Sequence, residues 1–306
     1  MLFQSRTFGS GHGPHLLIIA GVHGDEYEPM FAIRRLVKRF ETIAVRGRVT
    51  LIPIVNTAAF LRGQRTADDD RDLARTMPGR ADGSITEQVA AELTPLIQQA
   101  DFLIDLHTGG RLFRMQPLSG YVLHPQADIL QRQREMAVAF GMPIVWGTYP
   151  FLNGRTLSVA RDANVPAIYV EACGSGTFHP TAVDACERGC LNVATQLGLI
   201  DQPQAVPKVQ WLVEDPRDQS GFMQMQHPAA VDGFFEPLVS LGELCEQGQP
   251  IGQITDACGT LLASVPAGER GLMLFQRAVP GVKAGESTGG ILPLAYAQEL
   301  DHLGLS

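Results

Sequence analysis

From residue 1 to about 200 the chain alternates short, unbroken apolar runs with apolar stripes at the helical period. The runs at 15–21, 47–55, 101–107, 143–146 and 167–171 predict strands buried on both faces. Pro53 marks the second of them as an edge or a bulge, because proline cannot donate to a ladder. The stripes at 27–40, 86–99, 129–140 and 181–197 predict helices. Met30, Phe31, Ile33, Leu36 and Val37 form the apolar side of the first. Val89, Leu93, Leu96 and Ile97 form that of the second, with Ser84 or Thr86 as its cap. This alternation predicts an α/β domain on a largely parallel or mixed sheet.

At 201–208 the pattern breaks into a polar stretch with two prolines, which predicts a linker. Beyond it, short apolar runs are punctuated by glycine and proline, as in 233–237 and 248–252, and no helical period appears before the tail near residue 294. The expected organisation is a domain over 1–203 and a small all-β, barrel-like module over 209–306.

In α/β sheets of this kind the site lies beyond the carboxyl ends of the strands. Three apolar runs end there in reactive side chains. The first is followed by Gly21, His23, Gly24 and Glu26, the second ends in His107, and the third ends in Glu171. His23, Glu26 and His107 have the composition of a catalytic zinc set, in which three protein ligands leave a fourth position open. One zinc ion per chain is therefore expected. Glu171 is suited to act as general base. Gly21 and Gly24 let the backbone turn tightly where the first strand ends. Asp105 shares a strand face with His107 and either orients that histidine or binds backbone amides. His12, His15, His124, His179, His227 and His302 read as loop or surface residues; His179, eight residues past Glu171, is the nearest to the expected site in sequence.

Charge and cysteine usage narrow the partners. With 24 Lys and Arg against 32 Asp and Glu, the net charge of −8 argues against a nucleic-acid surface. No apolar stretch reaches the ~20 residues of a membrane span, and no secretory signal is visible, so neither a membrane partner nor export is expected. Five cysteines without a CxxC pair suggest reduced thiols and a cytoplasmic protein. A homo-oligomer is left open, with the dimer as the commonest default.

The quoted residues resemble the succinylglutamate desuccinylase and aspartoacylase family, relatives of the zinc carboxypeptidases. The resemblance runs through Gly21-Val22-His23-Gly24-Asp25-Glu26, Asn56 to Phe60, Arg65 to Gly79 and Gly83 to Glu87. It continues through Asp105 to Gly110, Val170 to Gly174 and the Asp232 to Pro237 segment. It implies a three-layer, zinc-carboxypeptidase-like catalytic domain followed by the β module. It implies zinc on His23, Glu26 and His107, with Glu171 as the catalytic glutamate. Arg65 would stabilise an oxyanion and Arg75 would pair with a substrate carboxylate; balancing Asp68, Asp69, Asp70 and Asp72 around them is the less favoured reading of both arginines. The family usually reads Asp-Leu-Asn-Arg where this chain has Asp72-Leu73-Ala74-Arg75, so an amide that helps grip the carboxylate is missing.

The implied activity is zinc-dependent hydrolysis of a small N-acyl amino acid, with N-acetylated diamino acids as a narrower candidate. A zinc carboxypeptidase trimming short peptides is the alternative. A non-catalytic metal-binding protein is the third reading, and the complete set of ligands and base weighs against it.

Overall fold

The computed structural model describes residues 2–203 and 208–305. Its centre is a nine-stranded mixed sheet. Across the sheet the strands run Arg6–Phe8, Arg48–Ile52, His15–Ala20, Phe102–His107, Ala167–Glu171, Leu118–Val122, Ile144–Thr148, Trp211–Glu214 and Ala297–Gln298. His15–Ala20, Phe102–His107 and Ala167–Glu171 are parallel neighbours, and the register places His107 beside Glu171. Their carboxyl ends therefore emerge side by side.

The strands read as unbroken apolar runs because helices cover both faces. Leu16, Ile18 and Ala20 pack with helices Tyr27–Phe40, Ala127–Phe140 and Pro180–Gln196. Leu17 and Ile19 point the other way, into a core with helices Ile85–Gln98 and Thr156–Asp162. Alternate residues of one strand thus serve two cores, as the period of two requires.

The four long helices lie within a few residues of their expected bounds. Arg48–Ile52 ends one residue before Pro53, so the proline closes the strand instead of sitting in it. Strand Leu118–Val122 and helices Thr57–Arg62 and Thr156–Asp162 have no expected counterpart. Leu118–Val122 escapes a pattern reading because Ser119 and Gly120 interrupt it. Gly120 is needed there: a Cβ would come within 2.4 Å of the Tyr169 ring.

Two further sheets are antiparallel. One contains Leu261–Pro266, Pro250–Thr255, Gly233–Pro237 and Gly281–Val282; the other contains Leu244–Cys245, Gly271–Arg277 and Gly289–Pro293. Phe113–Met115, from the first part of the chain, adds to the second by pairing with Gly271–Arg277. Trp211–Glu214 and Ala297–Gln298, both past residue 209, belong to the nine-stranded sheet. The two parts of the chain are therefore interleaved at their sheets. Of the linker expected at 201–208, residues 204–207 lie outside the described residues. Among the described residues no helix is long and apolar enough to cross a membrane.

Trp211–Glu214 is held in place by more than its ladder. Glu214 receives a bidentate pair of hydrogen bonds from Arg134, both 2.8 Å, and one from the Tyr121 hydroxyl at 2.6 Å. Truncating it leaves a guanidinium and a phenol unpaired in a largely buried setting. Glu214→Ala is expected to cost about 2–4 kcal/mol, read as a lower midpoint in urea denaturation. An unchanged midpoint would show that this cluster does not hold the strand.

Candidate active site

The turn after His15–Ala20 is shaped by two glycines. Gly21 has φ +68°, and a Cβ there would lie 2.9 Å from the Ile54 backbone. Gly24 lies against helix Thr57–Arg62, where a Cβ would come within 2.0 Å of the Ala59 carbonyl carbon. With no side chain at either position the turn folds inward, and His23 and Glu26 are buried.

His23, Glu26 and His107 are brought together: one candidate ligand atom from each lies within 4.8 Å of the others. The Glu26 carboxylate stands between the rings, with Oε1 2.7 Å from His23 Nδ1 and Oε2 3.0 Å from His107 Nδ1. Thr108 N–H also donates to Oε2. On the far side of each ring is a second carboxylate. His23 Nε2 lies 3.1 Å from Asp72 Oδ1, and His107 Nε2 lies 3.1 Å from Asp105 Oδ2. A carboxylate only accepts, and a neutral ring that gives its one proton to the outer carboxylate carries it on Nε2. In neutral rings both Nδ1 lone pairs then face Glu26. Four electron-rich atoms converging in a buried space call for positive charge, either extra protons on the rings or a cation among them. This residue set fits a divalent metal ion, and the outer carboxylates are the partners that orient ligand histidines in such sites.

The electrostatics agree with that reading. Burial opposes charge on Glu26, yet His23 and His107 hold its carboxyl well below the ordinary range. Burial likewise opposes charge on His107, and Asp105 and Glu26 outweigh it, raising that pKa well above the usual value. Asp72 is also held low: burial opposes ionisation, and the His23 bond and Arg65 overcome it. The surroundings thus favour cationic charge at the point where the three residues meet.

Glu171 behaves in the opposite way. Burial, reinforced by Glu26 and against the pull of His107 and Arg65, pushes its carboxyl up to about 8. Its Oε2 is buried with no hydrogen-bond partner among the described residues. Its Oε2 thus stands unpartnered beside the metal-type cluster.

Three arginines complete the cleft. Arg65 grips Asp72 Oδ2 through Nε and Nη2 at 3.2 and 2.9 Å, and its Nη1 lies 3.8 Å from Glu26. Asp72 therefore joins His23 to Arg65. Arg75 is held by neutral acceptors, the Ala74 carbonyl and Gln224 Oε1, both at 2.6 Å. Arg155 reaches the Gly221 carbonyl at 3.4 and 3.5 Å, and its Nε is buried without a partner. Both guanidiniums lie over the Phe222 ring, at 4.7 and 5.7 Å. Among the described residues neither forms an ion pair within 4 Å. Burial, together with Arg155 and Arg65, lowers Arg75 to about 10. Two half-buried guanidiniums with no carboxylate within 4 Å among the described residues form a site suited to an anionic group.

All six residues expected from the sequence, His23, Glu26, Arg65, Arg75, His107 and Glu171, line one cleft. Arg155, Gln224 and Tyr169 line it too and have no strand-end signal to reveal them. Asp72 is visible in the sequence only as one of several acids in a loop. His179 lies elsewhere, with its Nε2 on the Gly174 carbonyl. His15 is buried in a strand, contrary to the loop or surface reading, and His124 lies in a loop but is buried there. Each has a local partner that lets a polar ring be buried: Thr50 Oγ1 at 2.9 Å for His15 and Gln126 N–H at 3.1 Å for His124.

Comparison with known proteins adds to this geometry. Residues 12–197 match the model of the succinylglutamate desuccinylase/aspartoacylase catalytic domain. The N-alpha-acetyl-L-2,4-diaminobutyric acid deacetylase of Halomonas elongata is 33% identical over 284 residues, which is 90% of this chain and 81% of that protein. A succinylglutamate desuccinylase/aspartoacylase structure from Rhodobacter sphaeroides superposes with a TM-score of 0.83 at 26% identity, covering 95% of this chain and 89% of that one. The product-bound ectoine utilization protein EutE from Ruegeria pomeroyi has the same fold, with a TM-score of 0.83 at 22% identity over 94% of this chain and 87% of that one.

The raised pKa of Glu171 has a consequence for the metal-stripped protein. A carboxyl at 4.5 when unfolded and about 8 when folded keeps its proton in the native state over that interval. Its contribution to stability is full below the unfolded value and is lost as pH rises toward 8. Relative to Glu171→Gln, the metal-free wild type should lose stability as pH rises from 4.5 to about 8, measured by chemical denaturation. Parallel pH profiles for the two proteins would rule out the raised value.

Proposed function

The chain belongs to the succinylglutamate desuccinylase/aspartoacylase family, and from that premise we propose that it is a zinc-dependent deacylase that hydrolyses the amide bond of a small N-acyl amino acid. The observation that carries this reading is the meeting of His23 Nδ1, His107 Nδ1 and the Glu26 carboxylate beside an unpartnered Glu171. His23, Glu26 and His107 would hold the ion. When bound, zinc supplies Lewis acidity, polarising an amide carbonyl and lowering the pKa of a water to about 7.

The protein's own groups do the rest. Glu171 Oε2 takes the proton of the attacking water and returns it to the departing amine. Arg65, 38% exposed at its side chain and anchored on Asp72, turns its remaining N–H groups toward the oxyanion that forms at the carbonyl. A donor of that kind is worth about 3 kcal/mol of barrier. Arg75, with Arg155 beside it, receives the substrate carboxylate.

The catalytic part is read as residues 1–203 on a zinc-carboxypeptidase-like frame, followed by a β module over 209–306. Gly221, Met223 and Gln224 stand on the wall of the cleft, so the part of the chain past residue 209 helps to bound it, and the mouth is read as one that admits small substrates. The relation to the Halomonas deacetylase supports N-acetylated diamino acids as the substrate class. Five free thiols suit a reducing, cytoplasmic setting.

Metal analysis tests the ligands: His107→Ala should lose most of its zinc. Asp72→Asn and Asp105→Asn should each weaken metal affinity by about 10- to 100-fold, because the imidazole then loses its orienting carboxylate. Full zinc occupancy in His107→Ala removes His107 from the set. Glu171→Gln should retain stoichiometric zinc and lose at least ~100-fold in kcat. Normal turnover in that variant would refute its role as base. Steady-state kinetics on acetyl, succinyl and formyl amino acids and on matched dipeptides test the substrate class. If dipeptides with free C-termini are cleaved faster than every acyl amino acid, the enzyme is a carboxypeptidase.

A further inference from the structure

We infer that Gln224 is a substrate-binding residue that sets specificity for a free carboxylate, its side-chain amide supplying the donor that Ala74 cannot. The inference deepens the deacylase reading and rests on it, since it names a group that holds that substrate's carboxylate.

Ala74 and Gln224 line the same cleft, and Arg75 is bonded to both. Arg75 donates through Nη2 to Gln224 Oε1 at 2.6 Å. A guanidinium has only donors, so the amide must turn its oxygen to Arg75 and its NH2 group away. That NH2 group has no hydrogen-bond partner among the described residues. A carboxylate drawn to Arg75 would then meet two kinds of donor side by side: guanidinium N–H groups and an amide N–H. Phe222 keeps the pair aligned, because its ring carries Arg75 at 4.7 Å and stands two residues before Gln224 in the same turn. The donor comes from a segment more than a hundred residues away in sequence, so position 74 is free to be alanine.

Charge explains why the partner is an amide. Arg75 and Arg155 together need a ligand with negative charge, and an acidic residue at 224 would neutralise Arg75 and repel an incoming carboxylate. A glutamine holds Arg75 by a neutral acceptor and leaves its charge for the substrate. Glu at 224 would hold Arg75 at least as firmly as Gln, since charge-assisted bonds are the stronger ones. That variant would bind the acids worse by charge alone, so the separation of specificity from mere scaffolding rests on position 74: if Gln224 only positions Arg75, adding Ala74→Asn should not recover what Gln224→Ala loses.

The zinc-loaded enzyme should be compared on N-acetyl-L-2,4-diaminobutyrate and N-acetyl-L-aspartate and on their α-carboxamides. Gln224→Ala should raise KM for the acids about ten-fold with kcat within about two-fold, and leave KM for the carboxamides nearly unchanged. Gln224→Glu should raise KM for the acids further. Adding Ala74→Asn to Gln224→Ala should recover most of the loss. Equal effects on acids and carboxamides, no recovery from Ala74→Asn, or a wild-type KM in Gln224→Glu, would overturn the inference. If the wild type hydrolyses none of the acids, the deacylase reading fails and calorimetric binding of free 2,4-diaminobutyrate and aspartate decides Gln224 by itself. Weaker binding in Gln224→Ala that is recovered by adding Ala74→Asn supports it; unchanged binding in Gln224→Ala, no recovery, or no binding to the wild type, overturns it.

Discussion

Glu26 is a carboxylate only 1% exposed, wedged between two imidazoles, and the rest of the site is arranged around that burial. An isolated buried carboxylate is too costly to keep. Here its oxygens are met by two ring nitrogens and the Thr108 N–H. The rings are held in turn by Asp72 and Asp105, and Asp72 is held by Arg65. Acid and base alternate outward from Glu26, so each charge is offset by the next. The chain of pairs calls for positive charge where the two Nδ1 atoms and the carboxylate meet, and the arrangement that makes the protein's own charges tolerable there is one that fits a divalent cation.

The fold supplies this network by register. His107 and Glu171 are adjacent because strands Phe102–His107 and Ala167–Glu171 pair in parallel, and the turn carrying His23 and Glu26 leaves the neighbouring strand at the same end. A slip of one residue would turn His107 into the opposite core. Burial on both sheet faces makes that slip costly, since Leu103 and Ile104 serve different hydrophobic cores. Packing on the faces therefore fixes geometry at the ends.

That relationship also explains what could be read from the sequence. Strands buried on both faces are continuous apolar runs, so His23, Glu26, His107 and Glu171 stand out as polar residues just beyond or at their ends. The long helices are equally legible through their apolar stripes. Leu118–Val122 is hidden because a strand packed against Tyr169 needs Gly120, which breaks the apolar run. Trp211–Glu214 is too short to be told from the module that follows it, and its place in the large sheet depends on Arg134 and Tyr121 far away in sequence. Arg155 and Gln224 sit at helix or turn positions whose local pattern carries no signal, and only tertiary contact gives them meaning. Asp72 lies between these cases: its residue type is visible, but its bond to His23 exists only once the loop is folded.

The cleft is therefore built from two kinds of information. Its chemistry stands on rigid strand ends of the large sheet, where position is set by backbone ladders. Its recognition surface stands on loops and on the turn at 221–224, where Phe222 supports two guanidiniums at once. The two are joined through Asp72 and Arg65, one loop apart from Arg75 and Ala74. A change in the 221–224 turn can alter which anion the arginines accept without touching His23, His107 or Glu171.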